Sequence, residues 1–362
     1  MVIDARAGRI RPPDRTWQIV QPILGKHGIT RIADVTGLDR VGIPVYQAVR
    51  PGAHTLSVSQ GKGVSHELAR ISAVMECIEF SFAEMDDPVS DGRFVASALD
   101  LALPYDALAL PRSSRSVFSG RSLIEWIYSC SLSTGEKVPV PRETVYLRRA
   151  SQTGRLPLFS SHTTGLASGN CYDEAVLHAL YEIIERSSLS ASKHAVLINP
   201  STITFGTGSM LVDRIAEASV LMTIEMIENR FDVPCFRCFL WSDDYPVLAV
   251  GAGAHSSAEI ALTRALTEAA QSRLAAIAGV RDDMRLGTLT IDQPSRRPAL
   301  PNETVPWTDT FWSSSAKFGS LRAEVSHVTG LICDSLQSDL LVYDLSHGTE
   351  DISVVKVVVV RR

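Results

Sequence analysis

Three stretches of this chain have helical periodicity, are apolar on nearly every side, and carry one narrow polar line each. An α-helix turns by about 100° per residue, so positions i, i+4 and i+7 share a face. Within residues 65–84 those positions hold Ser72, Glu76 and Glu79, set among Ile71, Ala73, Val74, Met75, Cys77 and Ile78. A second helical stretch, ending near Lys193, aligns Glu174, Glu182 and Glu185 with His178 between them, and Arg186 follows at once. In residues 258–278, Arg264, Glu268 and Gln271 repeat the spacing, and Arg273 lies two residues on. A helix that is apolar all round is normally buried, so these lines are expected inside the protein. A solvated face would mix both signs, yet Lys is almost missing from all three. On pattern alone, three solvated faces remain the plainer alternative.

If the lines converge, the glutamates repel one another and their pKa values rise, so cations must neutralise them. Hard carboxylate oxygens favour Mg²⁺ or Ca²⁺ over zinc. Arg186, Arg264 and Arg273 offer planar donors that match phosphate oxygens. Lys62 sits in Gly61-Lys62-Gly63, read as a turn ahead of a helix N-terminus, where a phosphate is favoured. The mixture reads as a magnesium–nucleotide site. It is no P-loop, because Gly63 stands where Ser or Thr must follow the Lys, and no GxGxxG opens a βαβ unit. His178 reads as a core histidine, a ligand neighbour or a general base.

Around these helices the chain alternates with strands. Residues 29–51 and 56–60 read as short strands, residues 65–84 as a helix with Ser65 as N-cap. EWIYSCSLS and KVPVP are strand candidates, and Gly165-Leu166-Ala167-Ser168-Gly169-Asn170 reads as a Gly-containing turn opening the second helix. VPCFRCFLW and YPVLAVGAGAH lead into the third, where Ser256 and Glu259 have capping-box spacing. A helix from Ser320 and strands at LLVYDLS and ISVVKVVVV close the chain. The expected class is mixed α+β within the α/β family, with residues 1–24 a loose arm and residues 25–362 a single domain.

Bulk properties narrow the function. With 45% hydrophobic and 21% charged residues and a net charge of -5, the chain has the balance of a soluble globular protein and lacks the basic surface of a nucleic-acid binder. No run of about 20 apolar residues is available to span a bilayer, and MVIDARAGRIRPPDR has no apolar signal segment, which leads to the expectation of a cytoplasmic enzyme. The cysteines read as core thiols. Cys235 and Cys238 form a lone C-x-x-C inside a strand, without the second pair a zinc site needs.

In this order, SQGKG, SAVMECIE, TTGLASGN, HALYEIIER and RALTEAAQSR resemble the ATP-binding motifs of the YcaO family, over about residues 29–360. ITRIADVTGLDRVGIPVYQAVRP looks most like the subgroup that works beside a TfuA protein. The resemblance implies β-sheets packed with long helices around a central nucleotide pocket. It implies ATP and Mg²⁺ as cofactors and a peptide or protein as substrate. It further implies a TfuA-type partner and a homodimer, with no nucleic acid and no membrane. Carried over by motif, the ATP contacts are Lys62, Ser72, Asn170, Glu174, Arg186, Arg264 and Arg273. The magnesium residues are Glu76, Glu79, Glu182, Glu185, Glu268 and Gln271. No catalytic residue is assigned.

Family members activate a peptide amide oxygen with ATP after a nucleophile attacks the carbonyl, giving an azoline, a thioamide or an amidine. This chain departs from the pattern. Phe80 and Ser187 replace a frequent Arg and Asp, Thr163-Thr164-Gly165 replaces Ser-Asn-Gly, and VVKVVVVRR is neither a Pro-rich tail nor a PGLE-like finish. The tail favours thioamide formation over azoline formation, and Phe80 and Ser187 motivate a non-catalytic scaffold as a third reading.

Overall fold

A computed structural model describes residues 9–85, 92–147, 156–192, 194–279, 303–310 and 318–361. The helices are α1 (Pro13–Val20), α2 (His66–Glu84), α3 (Tyr172–Ala191), α4 (Gly206–Glu217), α5 (Ala258–Ala278) and α6 (Leu321–Leu336), with a single turn at Trp307–Thr310. The strands are β1 (Arg31–Asp34), β2 (Val45–Val49), β3 (Val58–Lys62), β4 (Phe94–Ala96), β5 (Ile124–Ser131), β6 (Lys137–Pro141) and β7 (Leu166–Gly169), continuing with β8 (Ala195–Ile198), β9 (Leu221–Ile227), β10 (Cys235–Ser242), β11 (Tyr245–Ala254), β12 (Ser338–Asp344) and β13 (Ser353–Arg361). Every pairing between these strands is antiparallel. The class is therefore mixed α+β, as expected.

Residue contacts divide the chain into two compact units, each assembled from separate segments. The first contains Met1–Gly52, Leu56–Cys77 and Ile184–Lys317. It holds a sheet of order β1-β2-β3 and another of order β11-β10-β9-β8. Its main core packs α4 and α5 on the second sheet through Leu211, Ile215, Leu262, Leu266, Phe236 and Leu240. A smaller core joins Leu274 of α5 to Val45 of the first sheet and to Val35, just after β1. Helix α5 is thus covered on both sides, which is why its sequence is apolar all round.

The second unit contains Ala53–Thr55, Ile78–Ile183 and Phe318–Arg362. Its sheet runs β4-β5-β12-β13-β7, with β6 paired to β5. Helix α6 packs near β12 and is tied to α3 by Tyr181 Oη donating to Glu324 at 2.5 Å and by Arg322 paired with Asp173 at 3.0 Å.

A strand feeding a long helix recurs three times: β3 into α2, β7 into α3 and β11 into α5. The glycines on these strands serve close packing. A Cβ on Gly61 would collide with the backbone nitrogen of Ala73, one on Gly169 with that of Ala175, and one on Gly251 with that of Ala269. Only glycine lets a helix backbone approach a strand this closely. This corrects the reading of Gly61-Lys62-Gly63 as a turn: Gly61 and Lys62 belong to β3. Likewise Leu166 to Gly169 form strand β7.

Other local expectations divide. Ser65 Oγ accepts from Leu68 N–H at 3.3 Å, as an N-cap does, and Ser320 caps α6 through Ala323 N–H at 3.2 Å. The capping box at α5 does not form: the N-cap is Ser257, without a side-chain cap bond. Glu259 instead accepts Thr207 N–H at 3.0 Å and ties α4 to α5. The expected loose arm is partly ordered. Residues Pro13–Val20 are helical, Val20 is buried, and the Arg70 guanidinium lies 3.8 Å from the Trp17 ring.

Gly61→Ala should destabilise the protein by at least about 3 kcal/mol, since helix backbone cannot move aside as a side chain can. Gly25→Ala, where a Cβ meets nothing within 4 Å, should shift the urea unfolding midpoint little.

Candidate functional site

In the first unit, β3 is an edge strand, so one side of its backbone has no partner strand. Two side chains from buried helices take up that edge at Gln60. Glu76 Oε2 of α2 accepts Gln60 N–H at 2.6 Å, and Gln271 Nε2 of α5 donates to Gln60 C=O at 3.1 Å. Two residues on, the Lys62 ammonium pairs with the Glu268 carboxylate. Lys62, Glu76, Glu268 and Gln271 are thereby gathered along residues 60–62. Lys62, read from sequence as a phosphate contact, stands here as the counter-charge of Glu268.

Arg273 has a different surrounding. Its Nε donates to Asp39 at 2.9 Å, both side chains are almost fully enclosed, and its guanidinium carbon lies 5.4 Å from the Tyr245 ring centre. Its Nη1 is buried with no acceptor among the described residues, the kind of donor an anionic oxygen would satisfy. Gln60 and Gln47 face each other across β2–β3. Both amide atoms of Gln60 and Nε2 of Gln47 are likewise buried without partners among the described residues. Arg264 is half-buried. Burial first, then the charges of Arg264 and Arg9, holds His255 well below its ordinary pKa. His255 Nδ1 accepts Ser257 N–H at 2.9 Å beside the start of α5. Glu185 is buried, and the exposed Arg186 guanidinium lies 3.9 Å from it. Ser72 is half-buried on α2, one turn before Glu76.

In the second unit, β7 and the turn before it hold two more of the carboxylates. Ser168 donates both its N–H, at 2.8 Å, and its Oγ, at 2.6 Å, to Glu79 Oε1. Gly165 N–H donates to Glu182 Oε2 at 3.1 Å. Asn170 Nδ2 donates to Glu174 at 3.0 Å, and both side chains are buried. Lys356 of β13 is buried, which pushes its ammonium pKa down to about 8, against the opposing charge of Glu182.

The motif glutamates Glu76, Glu79 and Glu182 therefore act as acceptors at the edges and turns of strands, while Gln271 donates at the edge of β3. Donors that sequence reasoning missed are Gln60, Ser168 and Lys356, together with the acceptor Asp39. For Lys356 a signal exists: it is the one charge inside the valine run of β13. For Gln60 the donor is a backbone N–H, and no residue type marks that. Among the described residues, no three His, Cys, Asp or Glu side chains gather as metal ligands do. The donor set still suits a hard cation: these are carboxylates held by N–H groups and one ammonium, all positively polarised partners. Cys235 and Cys238 are both buried, and burial lifts the Cys235 thiol to about 12 and Cys238 further. They are inert core thiols.

Comparison with known proteins identifies the family. The sequence model of a family described as "YcaO cyclodehydratase, ATP- and Mg²⁺-binding" matches residues 60–360. The chain belongs to the YcaO family. It is 42% identical over 282 residues to the uncharacterized protein Rv1375 of Mycobacterium tuberculosis, a match covering 76% of this chain and 64% of that one, so it spans under two thirds of that relative. It is 30% identical over 369 residues to an uncharacterized protein in the tfuA 3' region of Rhizobium leguminosarum bv. trifolii, covering 96% of this chain and 86% of that one. In fold it resembles YcaO from Methanopyrus kandleri, solved with AMPPCP and Mg²⁺, at a TM-score of 0.73 and 24% identity, covering 99% and 93% of the two chains. No helix among the described residues is long and apolar enough to cross a membrane.

The depressed pKa of His255 gives a pH test. The folded state keeps this histidine neutral, whereas the unfolded chain protonates it below about 6.5. The unfolded state then binds more protons, so stability falls as pH drops below that value. The His255 contribution should reach at most about 1.4 kcal/mol per pH unit. His255→Asn should flatten the decline between about pH 6.5 and 5 in thermal unfolding.

Proposed function

We propose that this protein uses magnesium-ATP to activate a backbone amide of a peptide or protein. The product we propose is a thioamide, formed beside a TfuA-type partner in a cytoplasmic setting, by a homodimer. The observation that carries the reading is the gripping of Glu76, Glu268 and Gln271 around β3, and of Glu79 and Glu182 around β7, in a chain of an ATP- and Mg²⁺-binding family. The TfuA partner and the thioamide rest on the relative beside tfuA and on the wording of residues 29–51, while the departures at Phe80 and Ser187 speak for the scaffold reading.

In the first unit Glu76, Glu185, Glu268 and Gln271 would be magnesium residues and Ser72 a nucleotide contact; in the second, Glu79 and Glu182 would be magnesium residues and Asn170 and Glu174 nucleotide contacts. Arg186, Arg264 and Arg273 would take phosphate oxygens, Arg273 through the Nη1 that has no acceptor among the described residues. Lys62 would share itself between Glu268 and phosphate. When bound, magnesium-ATP supplies a phosphoryl group to the amide oxygen and so makes that oxygen able to leave as phosphate. Hydrosulfide would add to the carbonyl carbon before that transfer; the C–O bond would then break with release of phosphate as C=S forms and the S–H proton passes to water. The chain's task is mainly to position reactants and to offset charge at fixed donors and acceptors. Azoline formation, the activity in the family's description, is the second reading.

Mass spectrometry of a matching precursor peptide, incubated with ATP, Mg²⁺, sulfide and partner, separates the two. Exchange of oxygen for sulfur is expected. Loss of one water would indicate an azoline, and an unchanged peptide with no ATP turnover would leave only a scaffold. Glu76→Gln keeps an oxygen to accept Gln60 N–H but loses the charge. ATP turnover should fall by roughly 100-fold or more with the unfolding midpoint little changed, and undiminished turnover would remove Glu76 from the magnesium set.

A further inference from the structure

Strand β13 is a run of valines interrupted once, at Lys356, which is 1% exposed. Burying an ammonium among valines costs free energy unless its donors are satisfied. Here the Lys356 Nζ donates to the carbonyls of His162 at 2.6 Å and Thr164 at 2.7 Å. The next residue continues the hold: Val357 N–H donates to Gly165 C=O at 2.8 Å. The turn is closed from within by Leu166 N–H donating to Thr163 C=O at 2.7 Å. Gly165 has φ +80, and a Cβ there would strike the Val357 carbonyl, so the turn sits against β13 without slack.

What this turn carries gives the clamp a purpose. Gly165 N–H holds Glu182, and three residues on Ser168 holds Glu79 by two bonds. Leu166 to Gly169 are themselves paired with β13, Lys356 lying opposite Leu166 and Val354 opposite Ser168. The donors that orient both carboxylates are thus fixed by one stretch of β13. The side chain of Lys356 secures the part of that stretch where the backbone ladder ends. A methionine there would fill the volume but leave the carbonyls of His162 and Thr164 without this donor.

We propose that Lys356 is a positioning residue of the magnesium-ATP site, setting the turn at residues 162–165 and through it the orientation of Glu182 and Glu79. This rests on the reading of both glutamates as magnesium residues. Groups that orient metal ligands typically change metal affinity by roughly 10- to 100-fold when lost, and Lys356→Met is expected to act in that range.

The test uses the full chain as wild type, Lys356→Met and Lys356→Gln. Calorimetry measures Mg–ATP binding at varied Mg²⁺, and hydrogen exchange reads the amides of residues 162–169. In Lys356→Met the amides of Gly165 and Ser168 should exchange faster while β9 to β11 stay protected, and the apparent Mg²⁺ affinity should fall roughly tenfold or more. Lys356→Gln, which keeps a shorter neutral donor, should fall between and decides the matter should the Met variant not fold. Wild-type exchange and affinity in a folded variant would overturn the role of Lys356. No Mg–ATP binding by the wild type itself would overturn the magnesium reading, and the positioning role with it.

Discussion

Negative charge inside a protein needs a partner of opposite polarity, and most of this structure's particular features follow from supplying one. The carboxylates of Glu76, Glu79 and Glu182 are held by backbone N–H groups of Gln60, Ser168 and Gly165, and that of Glu268 by the Lys62 ammonium. A backbone donor can reach a helix side chain in this way only where a strand has an unpaired edge or a turn. The helices must also come very close to those strands. The glycines at 61, 169 and 251, against Ala73, Ala175 and Ala269, provide that closeness. The glycine approach recurs at three strand–helix pairs, and charge and strand edge join it at β3 and β7.

Such holding has a chemical consequence. A carboxylate whose one oxygen is committed to a fixed N–H presents the other in a fixed direction, at little further loss of side-chain freedom on binding a cation. Ser168, with two donors on the same oxygen of Glu79, is the strongest instance. Arg273 is prepared in the same sense by Asp39 and Tyr245, which hold the guanidinium still while leaving Nη1 available.

Much of this is legible in the sequence, and the boundary is physical. The helices α2, α3 and α5 are legible because a polar line at period 3.6 on an apolar cylinder is visible in residue types alone. The bounds of α5 and the cap at Ser65 follow from the same signals. Gly61 and Gly169 read as turn residues because a Gly before a helix looks alike whether it bends the chain or admits a neighbour, and only the third dimension separates the two; Gly251, inside YPVLAVGAGAH, reads as strand. Ser256 and Glu259 have the spacing of a capping box, yet Glu259 finds a better use at Thr207 N–H across to α4, a long-range bond that spacing cannot register. The donor of Gln60 is a main-chain group, common to every residue but proline, and so leaves no mark. Lys356 did leave one, as a lone charge in a valine strand.

The unpaired edge of β3 has another consequence. An exposed strand edge is a template on which another chain can add itself. At Gln60 this edge is closed by Glu76 and Gln271, side chains proposed to serve the ligand. Solubility and activity therefore share the same atoms. A substitution that removes the hydrogen-bonding end of either residue uncovers a place for β-sheet self-association, and such a variant can be lost to aggregation before its chemistry is ever assayed.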